Sequence, residues 1–140
     1  MEREDYIHRL IRQFAEALAK IAGLRDQRDY KRALAATEDA WEGLVGHPRS
    51  LVNMVDTPTL AQLLGQPEKM RMAAKLLWEE GKTLAASGDP IHATICYRSA
   101  VELVLEARAI APSEEDSPML FELGRVVQMN QLDPLYRTDD

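Results

Sequence analysis

The chain has 140 residues, which is enough for one domain with an ordinary hydrophobic core. Its formal charge is −6 and it has no concentrated basic stripe, so nucleic-acid binding is disfavoured. The single cysteine excludes an internal disulfide framework and a four-cysteine zinc site. No stretch is apolar for the roughly 18 residues that a membrane-spanning helix needs. The charged opening MEREDYIHRL is unlike a secretory signal, so we expect a cytoplasmic location.

The first predicted element is a long helix over residues 4–27. Its apolar residues recur at spacings of three and four, from Ile7 to Leu24, which is typical of a core-facing helix. A polar turn over residues 25–29 follows. Asp29 is placed to cap a second helix, which we expect to end at Gly46.

Basic residues cluster at this first turn. Because Asp26 and Asp29 lie among them, the local net charge is small. A solvated turn is therefore the simpler interpretation, and a site for an acidic partner or RNA is the alternative. The four basic residues are Arg25, Arg28, Lys31 and Arg32.

Residues 47–66 separate this hairpin from a second one. They contain a short apolar cluster from Leu51 to Val55 and a short helix that opens at Thr57-Pro58. The Asp29-Tyr30 turn has a counterpart sixty residues later, whereas a simple repeat array would have an offset of about 34. The segment 47–66 is therefore interpreted as an insertion between two related units.

The second hairpin spans Pro67 to Pro112 and organises the chain. Its two helices meet at Gly88-Asp89-Pro90, where glycine favours a left-handed cap, aspartate caps the next helix, and proline suits the first helical position. The first helix carries its apolar stripe on Met70, Ala73, Ala74, Leu77, Gly81 and Leu84. The second carries its stripe on Ala93, Cys96, Tyr97, Ala100, Val104 and Ala107.

Gly81 lies in the middle of the first of these helices, where glycine costs about 1 kcal/mol relative to alanine. A glycine on a core stripe allows another backbone to approach, and Ala93 and Ala100 are small enough to permit that approach. We therefore predict that Gly81→Ala is tolerated, whereas Gly81→Leu destabilises the fold by about 1–3 kcal/mol through overpacking.

After Pro112 comes an acidic loop, and Ser117-Pro118 opens a final capping helix. Residues 1–131 are predicted to form a single helical domain, and residues 132–140 a flexible tail in which Leu132, Leu135 and Tyr136 are able to dock. No window alternates polar and apolar residues as a strand would. The predicted fold class is all-α, built from antiparallel helical hairpins.

The central hairpin resembles the tetratricopeptide repeat in its order of large residues, glycine, a Gly-Asp turn, alanine and tyrosine. It departs from that pattern at Glu80, where the repeat has leucine, and in its long second helix. Over residues 5–107 the chain is also similar to a family of uncharacterised bacterial proteins. The residues that carry this second resemblance are Asp5-Tyr6-Ile7, Arg9-Leu10-Ile11, Asp29 to Leu34, Leu51 to Asn53 and Gly88 to Pro90. It implies tetratricopeptide-like helices and supplies no activity or functional residue.

Candidate catalytic and metal sites are weak. His92 and Cys96 lie one turn apart, but a zinc site needs three or four ligands, so a core cysteine beside a boundary histidine is the simpler interpretation. Glu79-Glu80 and Glu114-Glu115-Asp116 are interpreted as a solvated helix edge and an acidic loop. We find no catalytic or cofactor motif, and expect no cofactor and no enzyme activity.

Lys75, Trp78 and Lys82 form the most interesting candidate site. They fall on one side of the central helix, next to its core stripe. In a tetratricopeptide repeat that side lines the concave groove, so a tryptophan between lysines suits an acidic or amphipathic peptide. The competing interpretation is that Trp78 packs under the N-terminal helix and the lysines are solvated.

The sequence therefore favours a non-catalytic protein-interaction or scaffold module with an unknown protein or peptide partner. Self-association to a homo-oligomer is also expected, because Met72 and Leu76 extend the apolar surface beyond the main stripe. The alternative is a small-molecule sensor or enzyme with a pocket between helices. A regulator that contacts nucleic acid is a third possibility, which the negative charge disfavours.

Overall fold

The structure is a computed structural model that describes residues 2–137. This part of the chain contains seven α-helices and no strand, which confirms the all-α prediction. No helix in it is both long and apolar enough to cross a bilayer. The helices are α1 (Glu2–Asp26), α2 (Tyr30–Ala40), α3 (Leu51–Met54), α4 (Thr57–Leu64), α5 (Pro67–Ala86), α6 (Pro90–Ile110) and α7 (Asp116–Leu123).

The α5–α6 hairpin is the centre of the molecule. α1 and α2 pack against α5, while α4 and α7 pack against α6. All six residues of the predicted stripe on α6 are buried, and five of the six on α5, with Leu84 half-buried. Helix α6 is buried more widely than predicted, since Val101, Glu102 and Leu103 are also covered. It therefore contacts neighbours on several sides.

The two interhelical turns have the geometry that the sequence predicts. Gly88 is left-handed with φ of 93°, and the Asp89 side chain accepts a hydrogen bond from the backbone N–H of His92. In the first hairpin Asp29 caps α2 in the same way, through the N–H of Arg32. The residue before it, Arg28, takes the left-handed conformation with φ of 61°, although it is not a glycine.

A wide turn of π-helix, Trp41–Val45, extends α2 to the predicted end at Gly46. The wider turn places Trp41 and Val45 both in the core, where neither is exposed. The Trp41 indole Nε1 has no hydrogen-bond partner within residues 2–137. Trp41 is therefore a structural tryptophan.

Gly81 faces the ring of Tyr97, and the expected alanines are not its nearest neighbours. A Cβ added at Gly81 would lie 2.4 Å from Tyr97 Cε1 and 2.7 Å from Cδ1. At these distances either the Tyr97 ring or the helix must shift to make room for the added methyl group. The close approach is therefore that of an aromatic ring onto the helix, and this geometry gives no support to the prediction that Gly81→Ala is tolerated.

Residues 132–137 of the predicted flexible tail lie against α6, and residues 138–140 lie outside the described residues. Leu132 is buried, and the backbone N–H of Asp133 donates to Glu102 Oε2 at 2.9 Å. The hydroxyl of Tyr136 donates to Glu106 Oε2 at 2.7 Å, while Leu135 is exposed. Burial, reinforced by that hydrogen bond, raises the pKa of Tyr136 above its usual range. These contacts hold the segment along α6.

Candidate functional site

The structure places Lys75, Trp78 and Lys82 on one side of α5, at spacings of three and four residues. Trp78 is half-buried and packs against the core, so it is neither a free surface residue nor a fully buried one. The lysine side chains are 35% and 37% exposed. Lys75, Trp78 and Lys82 therefore form an amphipathic strip in which the tryptophan lies between two cations.

Both lysines already have acidic partners. Lys75 Nζ lies 3.0 Å from Glu115 Oε1, and Glu115 is itself 46% exposed. Lys82 Nζ lies 2.7 Å from Glu79 Oε2 and 4.7 Å from the centroid of the Trp78 ring, where it makes a cation–π contact. The strip therefore presents paired charges around Trp78. The sequence analysis did not assign the two acids, Glu79 and Glu115, to this strip.

Glu79 also fastens α1 to α5. Arg25 Nη1 lies 3.0 Å from Glu79 Oε1 and directs its hydrogen bonds to the Glu79 carbonyl and the Thr83 hydroxyl, both at 3.4 Å. The contact with Oε1 is therefore ionic. Arg25 is mostly buried and does not belong to a solvated turn, so that part of the basic-cluster interpretation is wrong. Arg28, Lys31 and Arg32 remain exposed.

The apolar surface expected to drive self-association is covered within one chain. Leu76 is fully buried and Met72 is half-buried against the core. Leu76 therefore offers no surface for a second copy, and Met72 offers only part of its side chain. Larger exposed apolar side chains lie elsewhere, on the first half of α1 and around the C-terminal end of the fold.

Glu80, which replaces the leucine of the repeat pattern, anchors the insertion. Its carboxylate pairs with Arg49 through two hydrogen bonds of 2.7 and 2.9 Å, a bidentate geometry that fixes orientation. The Glu79 and Glu80 side chains are each only 13% exposed, so the prediction that they form a solvated helix edge is wrong. Glu80, the residue that departs from the repeat pattern, thus holds the insertion against the central hairpin. The insertion, residues 47–66, contains α3 and α4.

Cys96 lies beside this ion pair and donates to Glu80 Oε2 at 3.3 Å. Burial, together with the Glu80 carboxylate, raises the pKa of the thiol to about 12, which keeps it protonated and unreactive. His92 is exposed and pairs with Asp89. The two therefore do not converge, and residues 2–137 contain no group of three or more His, Cys, Asp or Glu able to hold a metal ion.

Arg71 and Asp116 form a second buried pair that secures the link from α6 to α7. Arg71 donates to Asp116 at 2.8 and 3.0 Å and to the carbonyl of Ala111. The hydrogen bond from Arg71 lowers the pKa of Asp116. The Arg71–Asp116 pair therefore stabilises the fold fully above the ordinary carboxyl pKa. This contribution is lost as the pH falls through the lowered pKa of Asp116. The prediction that Asp116 belongs to an acidic loop is wrong, because it is the buried first residue of α7.

A polar cleft of about 550 Å³ lies between the insertion, α6 and the C-terminal segment. At its base the buried Glu102 accepts hydrogen bonds from Thr57 Oγ1 at 2.6 Å and from the backbone of Asp133. Arg49, Arg98 and Arg137 line its sides. Sequence analysis missed this cleft, although one signal was present: Glu102 is an acid within the apolar run Val101 to Val104.

Comparisons with protein-family models, with curated proteins and with solved structures gave no match.

Proposed function

We propose that this protein is a cytoplasmic, non-catalytic interaction module that binds an acidic or amphipathic segment of another protein across α5, on hairpins of tetratricopeptide-like type. The observation that carries the proposal is Trp78, half-exposed between Lys75 and Lys82 on a helix backed by the core. Tryptophan is enriched among the residues that dominate binding energy at protein interfaces. A rigid aromatic anchor also loses little conformational freedom on binding.

The existing ion pairs favour a partner that carries carboxylates. The exposed Glu115 is held by a single long lysine, so an incoming acid can take its place beside Lys75 without leaving that cation unpaired. Lys82 is held more firmly, because Glu79 and the Trp78 ring both contact it. We therefore assign Lys75 the contact with a partner carboxylate, and Lys82 the role of fixing the tryptophan.

The test uses charge reversal, because truncation of Trp78 would also remove core packing. Proteins retained from an extract of the native cell are compared for the wild type, Lys75→Glu and Lys82→Glu. Lys31→Glu is the matched control, since it makes the same change of charge at an exposed position on α2. Circular dichroism and melting show that each variant is folded.

We expect one or more partners to be retained by the wild type and by Lys31→Glu, and to be lost from both α5 variants. Retention of the same proteins by all four chains would contradict the proposal. Loss from Lys31→Glu as well would show that only the overall charge matters.

The polar cleft supports the second candidate, a small-molecule sensor. Its volume of about 550 Å³ lies within the range of ligand sites. Most of its polar groups already bind one another, as Glu102 does with Thr57 and Asp133, so this function has weaker support. A thermal-shift screen of small polar metabolites tests it. A compound that stabilises the wild type but not Arg98→Glu, which alters an exposed cleft residue, would favour the sensor over the peptide module.

A further inference from the structure

Glu102, at the base of the polar cleft, is a buried acid without a cationic partner. It is only 4% exposed, and its two hydrogen bonds come from neutral donors, the Thr57 hydroxyl and the backbone N–H of Asp133. No lysine, arginine or histidine among residues 2–137 lies within ion-pair distance of this carboxylate. Because a charge that leaves water is costly unless an opposite charge compensates it, Glu102 is suited to receive a cationic group of a bound molecule.

The Glu102 carboxylate also has acceptor sites left for such a group. An ionised carboxylate has about four lone-pair sites, and the hydrogen bonds from Thr57 and Asp133 use two of them. Glu102 lines the polar cleft, so a molecule in the cleft has access to it. An ammonium group has three donors and no acceptor. It therefore satisfies the remaining sites and supplies the missing positive charge.

Arg98 provides a charge of the opposite sign in the same cleft. It lies four residues before Glu102 on α6, so the two side chains are on one side of the helix, about one turn apart. Arg49 is bound to Glu80, and Arg137 donates to two backbone carbonyls. The Arg98 side chain is exposed and makes no hydrogen bond or ion pair within residues 2–137. Its guanidinium is therefore free to bind a carboxylate through two parallel hydrogen bonds.

The rest of the cleft lining narrows the class of ligand. Val52 and Val55 of the insertion are half-buried, and Ile95 of α6 is exposed, so apolar surface lies beside the two charged groups. Asp56 and Asp133 also line the cleft and repel a ligand with several negative charges, such as a nucleotide. The lining therefore favours a small molecule with one charge of each sign and an apolar part.

We propose that the polar cleft binds a free α-amino acid with an apolar side chain, its ammonium group on Glu102 and its carboxylate on Arg98. In such a molecule both charged groups are attached to one carbon atom, which suits two side chains one helical turn apart. The proposal rests on the sensor function given above as the second candidate, and it is independent of the strip on α5.

Three matched compounds test the proposal by isothermal titration calorimetry with the 140-residue chain. Leucine carries both charges, isoamylamine is leucine without the carboxylate, and isocaproate is leucine without the ammonium group. Valine and phenylalanine vary the apolar side chain. Glu102→Gln removes the negative charge with little change of shape, and Arg98→Gln removes the positive charge. Arg12→Gln, at an exposed position on α1, is the matched control, and circular dichroism shows that each variant is folded.

We expect leucine to bind the wild type and Arg12→Gln equally, and each single-charge analogue to bind about ten- to a hundredfold more weakly, because one charged hydrogen-bonded contact is lost. Glu102→Gln should weaken the binding of leucine and isoamylamine but not that of isocaproate. Arg98→Gln should weaken the binding of leucine and isocaproate but not that of isoamylamine.

Two results would overturn the proposal. One is that the wild type binds none of leucine, valine and phenylalanine, and the other is that leucine binds both α6 variants as well as it binds the wild type. If Glu102→Gln does not fold, Arg98→Gln and the two analogues still decide the question. A ligand of another class in the metabolite screen, with no binding of the three amino acids, would overturn the amino-acid assignment but leave the sensor function standing.

Discussion

The hairpins α1–α2 and α5–α6 turn the chain with the same hydrogen bonds but distribute their side-chain sizes in opposite ways. In each turn the N–H of the capping aspartate donates to the carbonyl of a leucine five residues earlier, at 2.9 Å. Sixty residues apart, Ile21 corresponds to Gly81, and Thr37 to Tyr97; all four are buried. The bulky side chain is on the first helix of one hairpin and on the second helix of the other.

The comparison shows that the turn and the packing layer are specified separately. The turn depends on a few adjacent residues that satisfy helix ends, and both hairpins contain them. The packing layer is filled by different side chains in the two hairpins: Gly81 lies against Tyr97 in one, and the buried Ile21 and Thr37 occupy the corresponding positions in the other. Substitutions at defined positions test whether the turn and the packing layer are independent.

The largest effect is expected at Tyr97. Tyr97→Thr gives the second hairpin the small residue of the first, and leaves a cavity over Gly81. Loss of a buried aromatic ring should lower the free energy of unfolding by about 3–5 kcal/mol in urea denaturation. Gly81→Ile with Tyr97→Thr reproduces the pair found in the first hairpin and should recover part of that loss. A double variant no better than Tyr97→Thr would show that the two layers are not equivalent.

The second prediction concerns the position where the hairpins differ in polarity. Glu80 binds Arg49 of the insertion, whereas the corresponding residue of the first hairpin, Lys20, is exposed. Glu80→Leu restores the residue of the repeat pattern but leaves the mostly buried Arg49 without its carboxylate. The free energy of unfolding should fall by about 3 kcal/mol, and limited proteolysis should cut within residues 47–56. Lys20→Leu is the control and should change stability by less than about 0.5 kcal/mol.

These two sites show where inference from the sequence stops. The caps at Asp29, Asp89 and Gly88 were predicted because capping depends on residues within one turn of each other. The Arg49–Glu80 pair joins residues 31 positions apart, and apolar periodicity carries no information about which charges meet. Glu80 therefore appeared only as a departure from the repeat pattern.

The candidate strip on α5 shows the same limit of inference from the sequence. Helical spacing was enough to place Lys75, Trp78 and Lys82 on one side of α5, since that is a property of a single helix. The Lys75 partner, Glu115, comes from beyond α6 and depends on how the link to α7 folds back. The polar cleft is less predictable still, because residues from four separate segments line it.

The third prediction separates helix propensity from packing at glycine. Gly81→Ala should destabilise the protein by about 1–3 kcal/mol, because the new methyl group overlaps the Tyr97 ring. Gly23→Ala is the control: it lies in α1 of the other hairpin, and nothing lies within 4 Å of the added Cβ. That substitution should stabilise by up to about 1 kcal/mol. Thermal melts compare the two, and a stabilised Gly81→Ala would mean that Tyr97 moves aside without loss.

The smallest effect is expected where the two turns differ. Arg28 and Gly88 occupy the same left-handed position before the capping aspartate, with φ of 61° and 93°. A side chain in that conformation costs about 1–2 kcal/mol, and this cost is partly offset because glycine gains more freedom on unfolding. Arg28→Gly should therefore stabilise the protein by up to about 1 kcal/mol, and Gly88→Ala should destabilise it by a similar amount, both in urea denaturation. A destabilised Arg28→Gly would indicate that the arginine side chain contributes more than its backbone conformation costs.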